Sequence, residues 1–278
     1  MITRESSFIG EKGASIFYRV WAPDAGRAKA VILLTHGYAE HAGRYHGLAR
    51  YLTDHGYMVY APDHRAHGRS GGTKALIEDI HDIVQDMHTL RGRIANEQPG
   101  KKVFVLGHSM GGTLTTLYAQ TYPEELDGCI VSGVGLMTGA GVSPALKAIS
   151  RLVAAIAPQF PLQELKSEWL SHDPAVVHDY DTDPLNYRGK VMARTGTELL
   201  RGADCALTNI GAFCAPVLCM HGGGDQLVDP DASRYFYESV SSTDKTLKIF
   251  DGLYHEICNE YEKDEVYALV GDWLDRRA

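Results

Sequence analysis

The sequence predicts an α/β protein, a mostly parallel sheet covered by helices on both faces and carrying one insertion. Two observations support this. Strand-like and helix-like segments alternate along most of the chain, as βαβ units do. The central strand segments are apolar throughout rather than at every second residue, as strands buried on both faces are. The 278 residues suffice for two average domains or for one large α/β domain with an insertion, and either can bury a sizeable core.

Residues 14–21, 30–35 and 57–62 are the first expected strands, the second reading AVILLT. A helix is expected over 75–97. Its apolar residues Leu76, Ile80, Ile83, Met87, Leu90 and Ile94 step by 4, 3, 4, 3 and 4, which marks one helical face, and Pro99-Gly100 ends it. A short apolar strand, KKVFVLG at 101–107, leads into a helix over 110–122 that stops at Pro123. Further strands are expected at 126–133, 216–222 and 246–252, and helices at 230–240 and 262–277. Residues 137–208 break the alternation with helical stretches and no convincing strand, as an insertion above the sheet would. The expected division is a core of 1–136 and 209–278 with a cap of 137–208.

Composition excludes several classes. Twenty-seven Lys and Arg against 35 Asp and Glu leave a formal net charge of −8, unsuited to a dedicated nucleic-acid binder. The five cysteines, at 129, 205, 214, 219 and 258, contain no Cys-x-x-Cys pair, and their odd number argues against a disulfide scaffold. A reducing compartment is the simplest reading, and the N-terminus has no apolar run of signal-peptide length, so the cytoplasm is the expected location. Residues 128–146 carry no charge over 19 positions, near membrane-spanning length. Nine of them are Gly, Ser, Thr or Pro, which favours a buried strand running into an apolar loop.

Gly107-His108-Ser109-Met110-Gly111 is a G-x-S-x-G pentapeptide placed directly after a strand and at the start of a helix. A sharp turn there holds the central residue in strained geometry with its side chain exposed. Small residues two positions to either side let the chain bend without clashing. Ser109 is therefore the expected nucleophile. A serine hydroxyl needs a base, and the base an orienting acid, in the chain order Ser, Asp or Glu, His. Downstream histidines are His172 and His178 in the insertion, His221 at a strand end, and His255 in a loop after the last strand. Sites assemble at the C-terminal edge of a parallel sheet, which selects His255 and leaves His221 as a packed residue. Strand 216–222 runs into Asp225, the expected acid, with Asp229 in the same loop as the alternative. His36-Gly37, at the end of strand 30–35, is either a plain turn or the source of an oxyanion-binding N–H from Tyr38. Met110, after the nucleophile, would supply the second N–H.

Six segments together resemble the monoacylglycerol lipases of the α/β-hydrolase superfamily, bacterial members especially. They are HGYAEHAGRY at 36–45, DHRAHGRSGG at 63–72, GHSMGG at 107–112, YDTDPL at 180–185, GGGDQLVDP at 222–230 and GLYHEICNE at 252–260. The resemblance implies an α/β-hydrolase fold and a serine hydrolase that splits monoacylglycerol into glycerol and fatty acid. It implies a cap with a hydrophobic outer face. It also places Glu40 and Arg44 near the glycerol end of the site, with Tyr180 of the cap meeting the glycerol. For Glu40 and Arg44 a loop salt bridge is the competing reading. Cys258 stands where many animal members have His, which weakens any inference about glycerol contacts on that side.

Other signals are set aside. Gly133-Val134-Gly135 with Gly139 mimics a dinucleotide loop but opens no βαβ unit, and Asp63-His64-Arg65-Ala66-His67 reads as a structural loop rather than metal ligands. The expected chemistry needs no metal or organic cofactor. The expected partner is a monoacylglycerol or similar lipid ester, met at a membrane or lipid interface through the cap. A lysophospholipase or short-chain carboxylesterase on the same scaffold is the nearest alternative, and a non-catalytic binding protein of the same fold a more distant one. Residues 144–157 supply a helix whose Leu146, Ile149, Val153 and Ile156 form one apolar face, directed at the core or at lipid.

Overall fold

The computed structural model describes residues 1–24, 27–136 and 144–278, with the backbone alone for 144–148. Eight strands form one sheet: β1 (Ile2–Ile9), β2 (Ser15–Ala22), β3 (Val31–Thr35), β4 (Met58–Pro62), β5 (Val103–His108), β6 (Gly128–Ser132), β7 (Val217–Gly222) and β8 (Lys245–Phe250). Their spatial order is β1-β2-β4-β3-β5-β6-β7-β8. From β4 to β8 every pairing is parallel, while β1 and β2 extend one edge antiparallel. This is the mostly parallel architecture that the sequence predicts.

Strand β1 is an addition to that expectation. Its residues ITRESSFI carry no apolar alternation, and only Phe8 is buried. Backbone pairing along the whole of β2, from Ile2 opposite Ala22 to Ile9 opposite Ser15, holds it in place. A strand held by ladder bonds with little side-chain burial leaves no periodic signature.

Eight α-helices accompany the sheet among the described residues: α1 (His46–Asp54), α2 (Ile80–Glu97), α3 (Met110–Thr121), α4 (Pro144–Ile156), α5 (Pro174–Thr182), α6 (Ala193–Thr208), α7 (Asp231–Ser239) and α8 (Lys263–Asp275). Helices α2, α3 and α7 bury Ile83, Met87, Leu114 and Phe236 against one sheet face. Helices α1 and α8 bury Leu48, Leu52, Val270 and Trp273 against the other. Helix α2 starts one turn later than the apolar period suggests. The Asp79 carboxylate accepts from the His81 N–H at 2.9 Å and caps it there, and Ala75 turns at φ +60°. Leu76 instead packs in that loop with Ala75 and Met192.

Helices α4, α5 and α6 lie between β6 and β7, and α4 packs against α6. Of the uncharged stretch 128–146, residues 128–132 are β6. Residues 137–143, which include Gly139, lie outside the described residues. Among the described residues no helix is long and apolar enough to cross a membrane.

Candidate active site

The turn from β5 into α3 places Ser109 at φ +54°, ψ −116°, a conformation that disfavours any side-chain-bearing residue. The surroundings over-determine it. The Ser109 N–H donates to the Ser132 carbonyl at 2.8 Å, and the Ser109 carbonyl accepts from the N–H groups of Gly112 at 2.9 Å and Thr113 at 3.2 Å. The two flanking glycines are required by close approach. A Cβ at Gly107 would lie 2.2 Å from the Gly111 carbonyl oxygen, and a Cβ at Gly111 would lie 2.1 Å from that of Thr35.

One strand pair away, β7 ends in the loop carrying Asp225, and β8 in the loop carrying His255. His255 Nδ1 lies 2.6 Å from Asp225 Oδ2. The other carboxylate oxygen accepts from the N–H groups of Leu227 at 2.8 Å and Val228 at 3.0 Å. His221 is fully buried and supports the same acid. Its Nε2 lies 3.0 Å from Asp225 Oδ2 and 3.0 Å from the Val228 carbonyl, and its Nδ1 lies 2.7 Å from the Ser233 hydroxyl. A Cβ at Gly133, just after β6, would sit 3.3 Å from His255 Cε1, so the imidazole lies over the end of the strand that anchors Ser109. Asp229 points elsewhere, accepting from the Asp231 N–H at 2.9 Å at the start of α7. His178 lies on α5, while His172 packs near the buried carboxylate of Glu260.

Burial opposes charge on both members of the pair, and their mutual attraction outweighs it. Asp225 titrates well below the usual carboxylate range, because His255 and its hydrogen-bond donors favour the anion. His255 titrates above its ordinary 6.5: burial would lower it, but the charge and hydrogen bond of Asp225 raise it further, aided by Glu256 and Glu40. A base must be neutral to take the serine proton. The kcat/KM for a soluble ester is therefore expected to rise with pH through an apparent pKa above 6.5 and then level off. A midpoint at or below 6.5 would argue that Asp225 does not hold the base. Neighbouring His108, whose ring centroid is 4.6 Å from that of His255, is pushed down to about 3 by burial and by His255, so it is neutral across that range.

The candidate oxyanion donors lie on either side of Ser109. Among the described residues neither the Tyr38 nor the Met110 N–H donates to a protein acceptor. A Cβ at Gly37 would lie 3.4 Å from Ser109 Cβ, which puts the loop bearing Tyr38 directly beside Ser109.

Glu40, Arg44 and Tyr180 come together, each with protein partners. Arg44 binds Glu256 with both terminal nitrogens, Nη2 to Oε2 at 2.7 Å, and reaches Glu40 Oε2 at 3.0 Å. Its guanidinium lies 5.0 Å over the Tyr180 ring. The Tyr180 hydroxyl donates to the carbonyls of Tyr187 at 3.2 Å and Ala39 at 3.4 Å. Burial pushes the Glu40 carboxyl above its usual range. For Glu256 burial pushes the same way, but the bidentate Arg44 overcomes it and holds that carboxyl low. A cavity of about 690 Å³ lies behind Arg44, lined by Arg19, His41, Asp183, Asn259 and Lys263; neither Ser109 nor His255 lines it.

Two backbone hydrogen bonds tie the segment between β6 and β7 to the site. The Tyr187 N–H donates to the Ala39 carbonyl at 2.8 Å, and the Glu256 N–H donates to the Leu170 carbonyl at 2.8 Å. The buried Glu260 carboxylate adds a third tie, accepting from the Ser171 hydroxyl, the His172 N–H at 3.2 Å and the Tyr254 N–H at 2.8 Å. Glu256, Glu260 and the supporting role of His221 escape the sequence analysis. Glu256 and Glu260 had one signal, as isolated charges inside the apolar GLYHEICNE loop. The segment 63–67 is a buried loop, in which Asp63 accepts from the Ala42 and Arg69 N–H groups.

The family model described as serine aminopeptidase, S33, matches residues 26–262. A monoacylglycerol lipase of Mycolicibacterium smegmatis is 40% identical over 270 residues, covering 97% of this chain and 96% of that protein. A monoglyceride lipase of Homo sapiens is 30% identical over 272 residues, covering 97% of this chain and 89% of its own. The crystal structure of a Paleococcus ferrophilus monoacylglycerol lipase superposes with a TM-score of 0.82 at 28% identity, covering all of both chains.

Proposed function

The chain belongs to the serine aminopeptidase S33 family, with the α/β-hydrolase fold, and from that premise we propose that it cleaves monoacylglycerol to glycerol and a fatty acid through an acyl-enzyme on Ser109. It is a carboxylic-ester hydrolase. The observation that carries the mechanism is the 2.6 Å pairing of His255 with Asp225 beside the strained turn at Ser109. His255 Nε2 takes the serine proton as Ser109 Oγ attacks the ester carbonyl. Asp225 holds the Nδ1–H tautomer and stabilises the imidazolium that forms. The N–H groups of Tyr38 and Met110 receive the oxyanion. His255 returns the proton to the departing glycerol oxygen. It then activates a water that attacks the acyl carbonyl and releases the fatty acid, regenerating Ser109.

Residues 137–208 are read as a cap over this site. Support comes from α4, whose outward side carries Ile149, Leu152 and Ile156 at 57%, 61% and 76% exposure, while Ala154 is buried at 1%. The exposed face is thus 149–152–156, and Val153 is half-buried. The side chains of Leu146 and Lys147 lie outside the described residues. Phe160 and Leu162 are also exposed. Apolar side chains in this arrangement suit insertion at a lipid boundary. One experiment tests both substrate and interface. The wild-type enzyme is expected to prefer mono-oleoylglycerol in vesicles to the di- and triacylglycerol. Ile149→Ser with Ile156→Ser should weaken vesicle binding and slow that reaction, while sparing a soluble short-chain ester and the melting temperature. A lysophospholipid cleaved faster than monoacylglycerol would overturn the substrate. Unaltered vesicle binding by the double variant would overturn the interface.

A further inference from the structure

We propose that Glu40 is a positioning residue of the oxyanion site, clamping with His36 the two peptide units that aim the Tyr38 N–H, rather than a contact for glycerol. The proposal rests on the reading of Ser109 as nucleophile and deepens it. The Gly37 N–H donates to Glu40 Oε1 at 2.6 Å. The Gly37 carbonyl faces His36 Nδ1 at 2.7 Å. His36 Nε2 accepts from the His64 N–H at 2.8 Å, so the ring proton sits on Nδ1 and is donated to that carbonyl. The Gly37 carbonyl and the Tyr38 N–H belong to one planar trans peptide and point in opposite directions. Fixing the carbonyl against His36 therefore fixes the N–H away from it. The Glu40 bond fixes the preceding peptide in the same way, so two consecutive units are held from two sides.

The loop needs such restraint. Ala39 adopts φ +68°, unfavourable for any residue with a Cβ, and a relaxed loop would rotate its peptides. Glu40 itself is immobilised: buried at 3%, it also accepts from the Tyr45 hydroxyl at 2.7 Å and from Arg44 at 3.0 Å. Three protein donors occupy the carboxylate. A Cβ at Gly37 would lie 2.8 Å from Glu40 Oε1 and 3.4 Å from Ser109 Cβ, so the loop runs between the clamp and the nucleophile with no room for a side chain.

Two substitutions separate reach from charge. Glu40→Gln keeps the length and an acceptor for the Gly37 N–H but loses the charge. Glu40→Asp keeps the charge beside Arg44 but withdraws the acceptor from Gly37. Losing one oxyanion donor outright typically lowers kcat by about 10² to 10³. Glu40→Asp is expected to lower kcat by about 10- to 100-fold, within that bound, and Glu40→Gln by less than about threefold. Both effects should appear equally on mono-oleoylglycerol and on p-nitrophenyl butyrate, with KM unchanged. A larger loss for Gln than for Asp would assign Glu40 to the ion pair and overturn the clamp. A change confined to KM for the glycerol ester would make it a substrate contact instead. In the wild-type protein the Gly37 amide proton should resonate far downfield and exchange slowly, as a proton donated to a buried carboxylate does. An ordinary shift with fast exchange would overturn the clamp even if neither variant folded. Failure of the wild type on both esters would defeat the hydrolase reading rather than this one.

Discussion

Ser109→Ala is expected to lower kcat for monoacylglycerol by about 10⁴- to 10⁶-fold, the range seen when the nucleophile of a triad is removed. No other hydroxyl occupies the turn between β5 and α3, so nothing can stand in for it. Folding should be unaffected. The conformation at φ +54° is imposed by backbone bonds to Ser132, Gly112 and Thr113, which an alanine makes equally well. The melting temperature should therefore match the wild type, and labelling by a fluorophosphonate should vanish. A folded Ser109→Ala protein that still hydrolyses the ester, or still takes the label, would place the nucleophile elsewhere.

Asp225→Asn should be nearly as damaging, about 10⁴-fold in kcat, the loss known when a triad carboxylate becomes an amide. The structure gives the reason in terms of donors and acceptors. One Asp225 oxygen accepts from two backbone N–H groups, so an asparagine keeps its carbonyl oxygen there. Its NH₂ then faces His255 Nδ1, which must become an acceptor, and the ring proton moves to Nε2. The nitrogen that should receive the serine proton already carries one. The same NH₂ faces His221 Nε2, itself directed at the Val228 carbonyl, so the loop loses a support as well. Asp229→Asn should leave kcat near the wild-type value, since Asp229 is bonded only to the start of α7. The reverse ranking would exchange their roles.

The sheet and the turn at Ser109 were legible because both write themselves into short stretches of chain. VILLT and VFVLGH are continuous apolar runs since both faces of β3 and β5 are covered. Gly107 and Gly111 flank Ser109 because no Cβ fits there. Strand order and loop position pointed to His255 and to Asp225, with Asp229 as the alternative, and it is Asp225 that lies 2.6 Å from His255 Nδ1. What escaped depends on partners distant in the chain, or on a local signal that a stronger apolar pattern overrode. Strand β1 is held by backbone pairing, so its side chains are free to be charged. Arg44 and Glu256 are 212 positions apart, and no spacing rule links them. Asp79 did announce the start of α2, but an apolar step at Leu76 continued the period across it.

The bonds from Tyr187 to Ala39 and from Glu256 to Leu170 run from main chain to main chain. Peptide groups are common to every residue except the missing N–H of proline, so substitution at these four positions leaves the bonds available. Side chains at these four positions can therefore vary while the two bonds keep the register of the segment between β6 and β7 on the loops carrying Ala39 and Glu256. Insertions or deletions between 170 and 187 shift that register, and proline at 187 or 256 removes a donor. A graft of this segment between relatives should accordingly tolerate low identity and fail on length.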